Sequence, residues 1–340
     1  MVNGTLYWAC KHHEADKTAR PITQVPEAQV QQAFLRLYYN LKYQGSHILP
    51  DLITNLQSIR ERKFLWSVDA IELNRQIAEL TRQNQLLATL REGGCVVSDV
   101  HGYYTQMKSA LEKAVFFSDT TPHKLIMLGD LFDRGHEAKQ LQQFILEQME
   151  QDKIILIRGN HEDLFVELVT TDAGMPYSYH KSNGTYDTAL QLTGFDPVMA
   201  SIRHYDFADA AKDTPFYKEI IPAMLDYFET EHYVFTHGWI PSIPNRDKSY
   251  SYISSWREAD REQWNRARWF NGMDAAQTAD ENKTIVCGHW HTSYGHSKYE
   301  HKGTEFGEDA DFSPYYGPGI IAIDACTAFS GKVNCLVIED

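Results

Sequence analysis

The polar and apolar positions change pattern part-way along this 340-residue chain. Before residue 93 the spacing is helical. Glu27 to Tyr43 follows Pro26, a favourable entry to a helix, and stops at Gly45. A second stretch runs from Leu49 or Pro50 to about Lys63, and Ser67 caps a third. In the third, Leu73, Ile77, Leu80, Asn84 and Leu87 alternate in steps of four and three, the seam of a coiled coil with one polar position. A seam this short fits a helix packed on the body, or an arm that pairs with itself or with a partner. After Gly93-Gly94 the chain turns to short β-rich runs, each followed by a turn or helix. The predicted strands are Cys95–Ser98, Lys124–Leu128, Lys153–Ile157, Tyr233–Thr236, Thr284–Cys287, Gly319–Ile323 and Lys332–Ile338. The expected organisation is a helical arm over residues 1–92 and an α/β body over 93–340.

Composition adds three constraints. Apolar residues make up 43% and charged residues 23% of the chain, enough for a packed core. The five cysteines, Cys10, Cys95, Cys287, Cys326 and Cys335, are unclustered, and three lie in apolar strand-like runs, so buried thiols are expected. No apolar run reaches the ~20 residues of a membrane span, and Met1-Val2-Asn3 does not open a signal peptide, so a cytoplasmic protein is expected. Charge is uneven: residues 1–92 balance at +2 and the remainder at −16. An acidic body argues against nucleic acid as the main substrate and is consistent with carboxylates that bind metal cations.

The arm resembles the C-terminal part of large serine recombinases. "YWACKHHEADKTARPITQVPEAQVQQAFLRLYYNLKY" is similar to the end of their zinc ribbon, and "SVDAIELNRQIAELTRQNQLLATLRE" to their coiled coil. The catalytic serine domain and the first ribbon cysteines are absent, and Arg20 stands where a ribbon cysteine belongs. With Cys10 as the one plausible thiolate, a tetrahedral zinc site cannot be completed. The resemblance therefore implies a remnant without an active site.

In the body, the first five predicted strands each end in a motif rich in Asp, Asn and His. These are Ser98-Asp99-Val100-His101-Gly102, Gly129-Asp130-Leu131-Phe132-Asp133-Arg134-Gly135, Arg158-Gly159-Asn160-His161-Glu162, Thr236-His237-Gly238-Trp239 and Gly288-His289-Trp290-His291. Strand ends of α/β folds hold loop side chains at one rigid edge. Two divalent cations about 3.5–4 Å apart need a bridging carboxylate, several oxygen and nitrogen ligands, and open positions. Imidazole with carboxylate and no thiolate suits Mn, Fe or Zn.

This series resembles the binuclear metallophosphoesterases, most closely their phosphoprotein phosphatase branch of Ser/Thr phosphatases and diadenosine tetraphosphatases. "GDLFDRG" and "RGNHE" carry the match, with weaker echoes in "HKSNGTYDTALQLTG" and "GIIAIDACTAFSGKVNCLVIED". The resemblance implies a four-layer α/β sandwich of two mixed sheets flanked by helices. It implies Asp99 and His101 on a first metal, Asp130 bridging two, and Asn160, His237 and His289 on the second. His291 becomes an extra ligand of the first metal. His161 becomes the acid that protonates the leaving oxygen, oriented by Asp133, while Arg134 holds phosphate oxygens and Asn160 assists substrate binding. The implied reaction is direct attack on phosphorus by a hydroxide bridging the two metals. Ser98 replaces the usual glycine before the first Asp. Trp239 replaces a small residue and is read as a wall of the substrate entrance. Arg203, Arg246, Arg257 and Arg268 are candidates for a further phosphate-binding arginine. Trp256, Trp264 and Trp269 are read as packing residues, and His296 and His301 as solvated loop residues.

The function expected is hydrolysis of a phosphomonoester, first of all phosphoserine or phosphothreonine in proteins, with a dinucleoside polyphosphate or phosphodiester as the alternative substrate. A DNA-binding or assembly module built on the arm is the non-enzymatic alternative. The expected partners are thus a phosphorylated protein or nucleotide-type substrate and, through the coiled coil, a second copy.

Overall fold

The structure is a computed structural model that describes residues 94–118, 124–171, 178–247 and 249–338. The helical arm, its seam and the boundary at residue 93 lie outside the described residues, as do Cys10 and Met175-Pro176-Tyr177.

Two mixed sheets form the frame. The first has β1 (Gly94–Val97) between β11 (Cys335–Ile338), antiparallel to it, and β2 (Lys124–Met127), parallel to it; β3 (Ile154–Leu156) continues the parallel run. The second runs β4 (Tyr227–Glu229), β5 (Tyr233–Thr236), β8 (Thr284–Cys287), β10 (Ile320–Ala322) and β9 (Tyr315–Gly317). Within it β5, β8 and β10 are parallel and the outer strands antiparallel. A small ribbon pairs β6 (Ile243–Pro244) with β7 (Tyr250–Ser251).

Period-two alternation decides what each face packs against. Cys95, Val97, Leu125, Met127, Ile154 and Leu156 enter one core with helices α1 (Tyr104–Lys113), α2 (Ala138–Glu150) and α3 (Asn160–Thr170). Leu141, Phe144 and Ile145 on α2 follow the three-and-four step that gives a helix one apolar face. Val234, Ile285, Cys287, Ile320 and Ala322 enter a second core with Trp256, Trp264 and Met273. The alternate residues Val96, Ile126, Ile155, Phe235 and Val286 are also fully buried, on the faces the sheets turn toward each other. Both faces of the central parallel strands are covered, as such strands require, while Val337 on β11 and Tyr316 on β9 are exposed at the edges.

All seven predicted strands are present with ends shifted by a few residues. The strands β4, β6, β7 and β9 were not anticipated. Each has two or three residues, too few for a period to show, and exists because a neighbour pairs with it. Among the described residues no helix is long and apolar enough to cross a membrane. Cys95, Cys287, Cys326 and Cys335 are free thiols, the first two buried and the others half-buried.

Candidate metal centre

The carboxyl ends of β1, β2, β3, β5 and β8 deliver the five motifs to one place. The chain turns sharply at several positions in these motifs: Asp99, His101 and Asp130 have φ of 50°, Asp133 75°, Arg134 62° and His289 65°. These are left-handed conformations that Asp and His adopt more readily than most residues, and that surrounding structure must hold. Here the loops hold one another. His101 N–H donates to the Asp130 carbonyl (3.0 Å), and Gly135 N–H donates to that of His101 (2.8 Å). Gly288 N–H donates to the His237 carbonyl (2.7 Å). His289 N–H donates to Asp99 Oδ2 (2.9 Å), which joins the last motif to the first. Gly288 must lack a side chain, since a Cβ there would collide with Ser98 Oγ and Asp99 Oδ2.

Two groups of donors converge: His101, Asp130 and His161 in one, Asp130, His237 and His289 in the other, with the donor atoms of each within 4.8 Å of one another. Asp130 belongs to both. Its Oδ2 lies 3.9 Å from His101 Nε2 and 3.8 Å from His161 Nε2, while Oδ1 lies 3.3 Å from His237 Nε2. Asn160 joins the second group through Oδ1, 2.9 Å from His237 Nε2. His101 Nδ1 donates to the Phe132 carbonyl (3.0 Å) and His237 Nδ1 to that of Leu128 (2.6 Å). With Nδ1 occupied by a carbonyl, Nε2 of each ring is turned into the site.

Burial and charge oppose each other here. Burial pushes the Asp130 carboxyl up, but His237 and His161 outweigh it and hold it well below the usual range. Burial pulls the His237 and His161 imidazoles down, yet Asp130 lifts them to about 10 and about 9, with Asp133 also acting on His161. Burial dominates at His101 and His289, both near 3, and raises Asp99 to about 6. A divalent cation would replace these protons as the counter-charge, favouring ionised carboxylates and neutral imidazoles together. The donor set is oxygen and imidazole; burial pushes the nearby Cys287 and Cys326 thiols up and keeps them protonated. The residues therefore fit divalent cations.

His161 stands where an acid would be useful. Its Nδ1 is 2.7 Å from Asp133 Oδ2, and the same oxygen accepts the Thr185 hydroxyl at 2.7 Å. The Thr188 hydroxyl accepts Asp133 N–H at 3.0 Å. Thr185 and Thr188 belong to the stretch around Asn183-Gly184, which folds as helix α4 (Thr185–Thr193) and packs on the Asp133-Arg134 turn. Arg134 is exposed beside the site, where its charge adds to burial in holding His101 down and only partly offsets the rise at His161.

His291 stands apart from both groups. Its Nδ1 lies 2.9 Å from Ser293 Oγ and its Nε2 3.3 Å from Glu305 Oε1. Trp239 is 1% exposed and packs in the second core, and its backbone N–H donates to the Ala267 carbonyl. It does not wall an entrance. His296, expected in solvent, is 5% exposed within helix α5 (Thr292–Tyr299), its nitrogens 3.0 Å from Glu300 and from the Ser313 carbonyl. Arg203 pairs with Asp206, Arg257 with Glu229 and Glu281, and Arg268 with Asp163 and Asp226; Arg246 is exposed. None of their partners belongs to either donor group.

Two further residues serve the site without having been anticipated. Glu162 is buried and accepts three backbone N–H groups, from Gly159 (2.8 Å), Asp130 (3.0 Å) and Leu131 (3.0 Å), which clamps the second and third loops together. Asp324 ends the parallel strand β10 and is buried near Asp99, accepting the Cys326 N–H at 2.7 Å. The pattern of acidic strand ends extends to this sixth parallel strand.

Residues 95–322 match the calcineurin-like phosphoesterase family. The chain belongs to that family. Calcineurin-like phosphoesterases are binuclear metal enzymes, and the two donor groups sharing Asp130 are its counterpart in this chain. An asymmetrical bis(5'-nucleosyl)-tetraphosphatase of Bacillus velezensis is 25% identical over 134 residues, 36% of this chain and 49% of that protein. Serine/threonine-protein phosphatase 2 of Escherichia coli is 34% identical over 79 residues, 23% of this chain and 34% of that one. The chain thus spans about half or less of the length of these curated relatives. A solved structure of a cold-active protein tyrosine phosphatase superposes with a TM-score of 0.45 at 18% identity, over 73% of this chain and 74% of that one.

Proposed function

We propose that the chain hydrolyses phosphoesters with two divalent cations, Mn, Fe or Zn, and that its substrate is a phosphomonoester, first of all phosphoserine or phosphothreonine in proteins. The observation that carries this reading is Asp130, one buried carboxylate shared by two donor groups. Asp99 and His101 would hold the first ion, Asp130 both, and Asn160, His237 and His289 the second. His291 would be an extra ligand of the first ion, with Ser293 and Glu305 beside its nitrogens. When bound, such cations polarise a phosphoryl oxygen and make water a stronger nucleophile at neutral pH.

The protein's own part is positioning and proton transfer. Arg134, exposed at the lip, holds phosphate oxygens in a forked contact. Asp133 fixes the His161 ring through Nδ1, which leaves Nε2 to carry a proton toward the leaving oxygen. Thr185 fixes Asp133 in turn. Burial of the donors excludes bulk water and strengthens each electrostatic contact.

A second reading is hydrolysis of a dinucleoside polyphosphate. It is supported by the tetraphosphatase of Bacillus velezensis and by a symmetrical bis(5'-nucleosyl)-tetraphosphatase of Pasteurella multocida, 28% identical over 109 residues. A panel of phosphopeptides, para-nitrophenyl phosphate, its bis-ester and diadenosine tetraphosphate, assayed with Mn(II), separates the two. No turnover of any member would overturn the enzymatic reading. Residues 93–340 are proposed as the catalytic unit, so removing residues 1–92 should preserve turnover. A salt-sensitive gel shift by residues 1–92 alone would instead support the DNA-binding alternative.

A further inference from the structure

Arg134 occupies the middle of a turn that an L-residue resists. Its φ is 62°, and the Gly135 N–H donates to the Asp133 carbonyl at 2.6 Å, which closes a γ-turn of positive φ around it. Asp133 has a φ of 75°, so two left-handed residues stand in succession. Such a backbone persists only where its surroundings over-determine it. The side chain that leaves this turn is exposed. Its length magnifies any rotation of the backbone, so the shape of the turn sets where the guanidinium points.

One side of helix α4 holds the turn. Asp133 N–H donates to the Thr188 hydroxyl at 3.0 Å. Three residues along the helix, Gln191 uses both ends of its amide: Oε1 accepts the Ala138 N–H at 3.1 Å and Nε2 donates to the Gly135 carbonyl at 2.9 Å. Thr188 and Gln191 thus grip the chain before and after Arg134. Ala138 is the first residue of α2, whose leading N–H groups have no acceptor within the helix, and Gln191 supplies one. From the metal side, the His101 carbonyl accepts the Gly135 N–H at 2.8 Å, and Gly102 leaves no room for a Cβ on Gly135. The start of α4 approaches as closely, since a Cβ on Gly184 would collide with the Arg134 nitrogen. Helix α4 is itself anchored by Tyr186 and Ala189 in the first core. Thr188 and Gln191 bond here to backbone atoms, so they act on the shape of the turn and not on the charge of the site.

We infer that Thr188 and Gln191 are positioning residues that fix the γ-turn of Arg134 and so aim its guanidinium at the substrate's phosphate. The inference rests on the phosphate-binding role proposed above for Arg134 and adds the residues on which that role depends.

The test uses the full chain with Mn(II). Calorimetry with inorganic phosphate reads anion binding without turnover, and para-nitrophenyl phosphate kinetics separate KM from kcat. Gln191→Leu and Thr188→Val remove the bonds at similar side-chain size. In each, phosphate affinity should fall and KM should rise about tenfold, the order of one hydrogen bond to a charged group. The fall in kcat should be smaller, because a contact made equally in substrate and transition state acts on KM. Thr188→Ser restores the hydroxyl and should recover the affinity. A double-variant cycle separates aiming from general damage: Gln191→Leu added to Arg134→Ala should cost almost nothing further. Additive losses, or a loss of bound Mn(II) that accompanies the loss of affinity, would overturn the positioning role. So would full phosphate affinity in Gln191→Leu and Thr188→Val beside a weakened Arg134→Ala. Undiminished phosphate binding by Arg134→Ala is a different result: it overturns the phosphate role of Arg134 itself, and the inference with it.

Discussion

One oxygen, Asp133 Oδ2, lies 2.7 Å from both His161 Nδ1 and Thr185 Oγ1, so a hydroxyl 52 residues downstream holds the carboxylate that orients the imidazole. Replacing Thr185 by valine keeps the shape and removes the donor. Activity should fall about tenfold with metal content intact, whereas His161→Ala should cost about a hundredfold or more, the usual contribution of a general acid. Steady-state kinetics beside metal analysis checks both, and an unaltered kcat in Thr185→Val would show that Asp133 needs no such support.

Asp130 is shared by both donor groups, so Asp130→Asn weakens two metal sites at once. Bound metal should fall well below two ions per chain and activity by about a hundredfold or more, beyond the cost of altering a residue behind the ligands. Near-normal activity at full metal content would contradict the shared role.

Glu162 tests the scaffold separately from the chemistry. Burial and the charge of Asp130 push its carboxyl up to about 7, while three backbone N–H donors require both oxygens as acceptors. Glu162→Gln puts an amide N–H against an N–H. It should lower stability by about 2 kcal/mol, the cost of an unsatisfied buried group, seen as a lower urea midpoint.

Without metal the site should make stability depend on pH from both sides. His161 and His237 have folded values near 9 and 10, above the 6.5 of a free imidazole, so their contribution is complete below about 6.5 and is lost as pH rises through 9–10. His101 and His289 are depressed to about 3, so theirs is complete above about 6.5 and is lost as pH falls toward 3. The chelator-treated protein should therefore show a melting temperature that falls on both sides of neutrality. Mn(II) should raise it most above pH 8, where it replaces the departing protons. Thermal melts from pH 4 to 10, with and without metal, check this.

Much of the centre is legible in the order of residues, because a parallel strand delivers whatever follows it to one edge. Apolar runs of four or five residues locate β1, β2, β3, β5 and β8, and the residues after them are the donors that converge. What escapes that reading are contacts between distant segments. Glu162 looks like a helix-starting acid, and nothing local shows that it reaches Asp130 and Leu131. Thr185 looks like an ordinary helix residue. His291 has the spacing of a ligand, and only the folded loop shows that Ser293 and Glu305 lie beside its nitrogens.

The sequence by itself determined the parallel α/β frame, the chemistry of the donors and their places at strand ends, because alternation and turn-forming residues act over a few positions. The tertiary structure alone decided that Glu162 and Thr185 brace the site, that Trp239 is core and that Trp269 is open. Those outcomes depend on which segments, far apart in the chain, are packed together, and residue spacing carries no record of that packing.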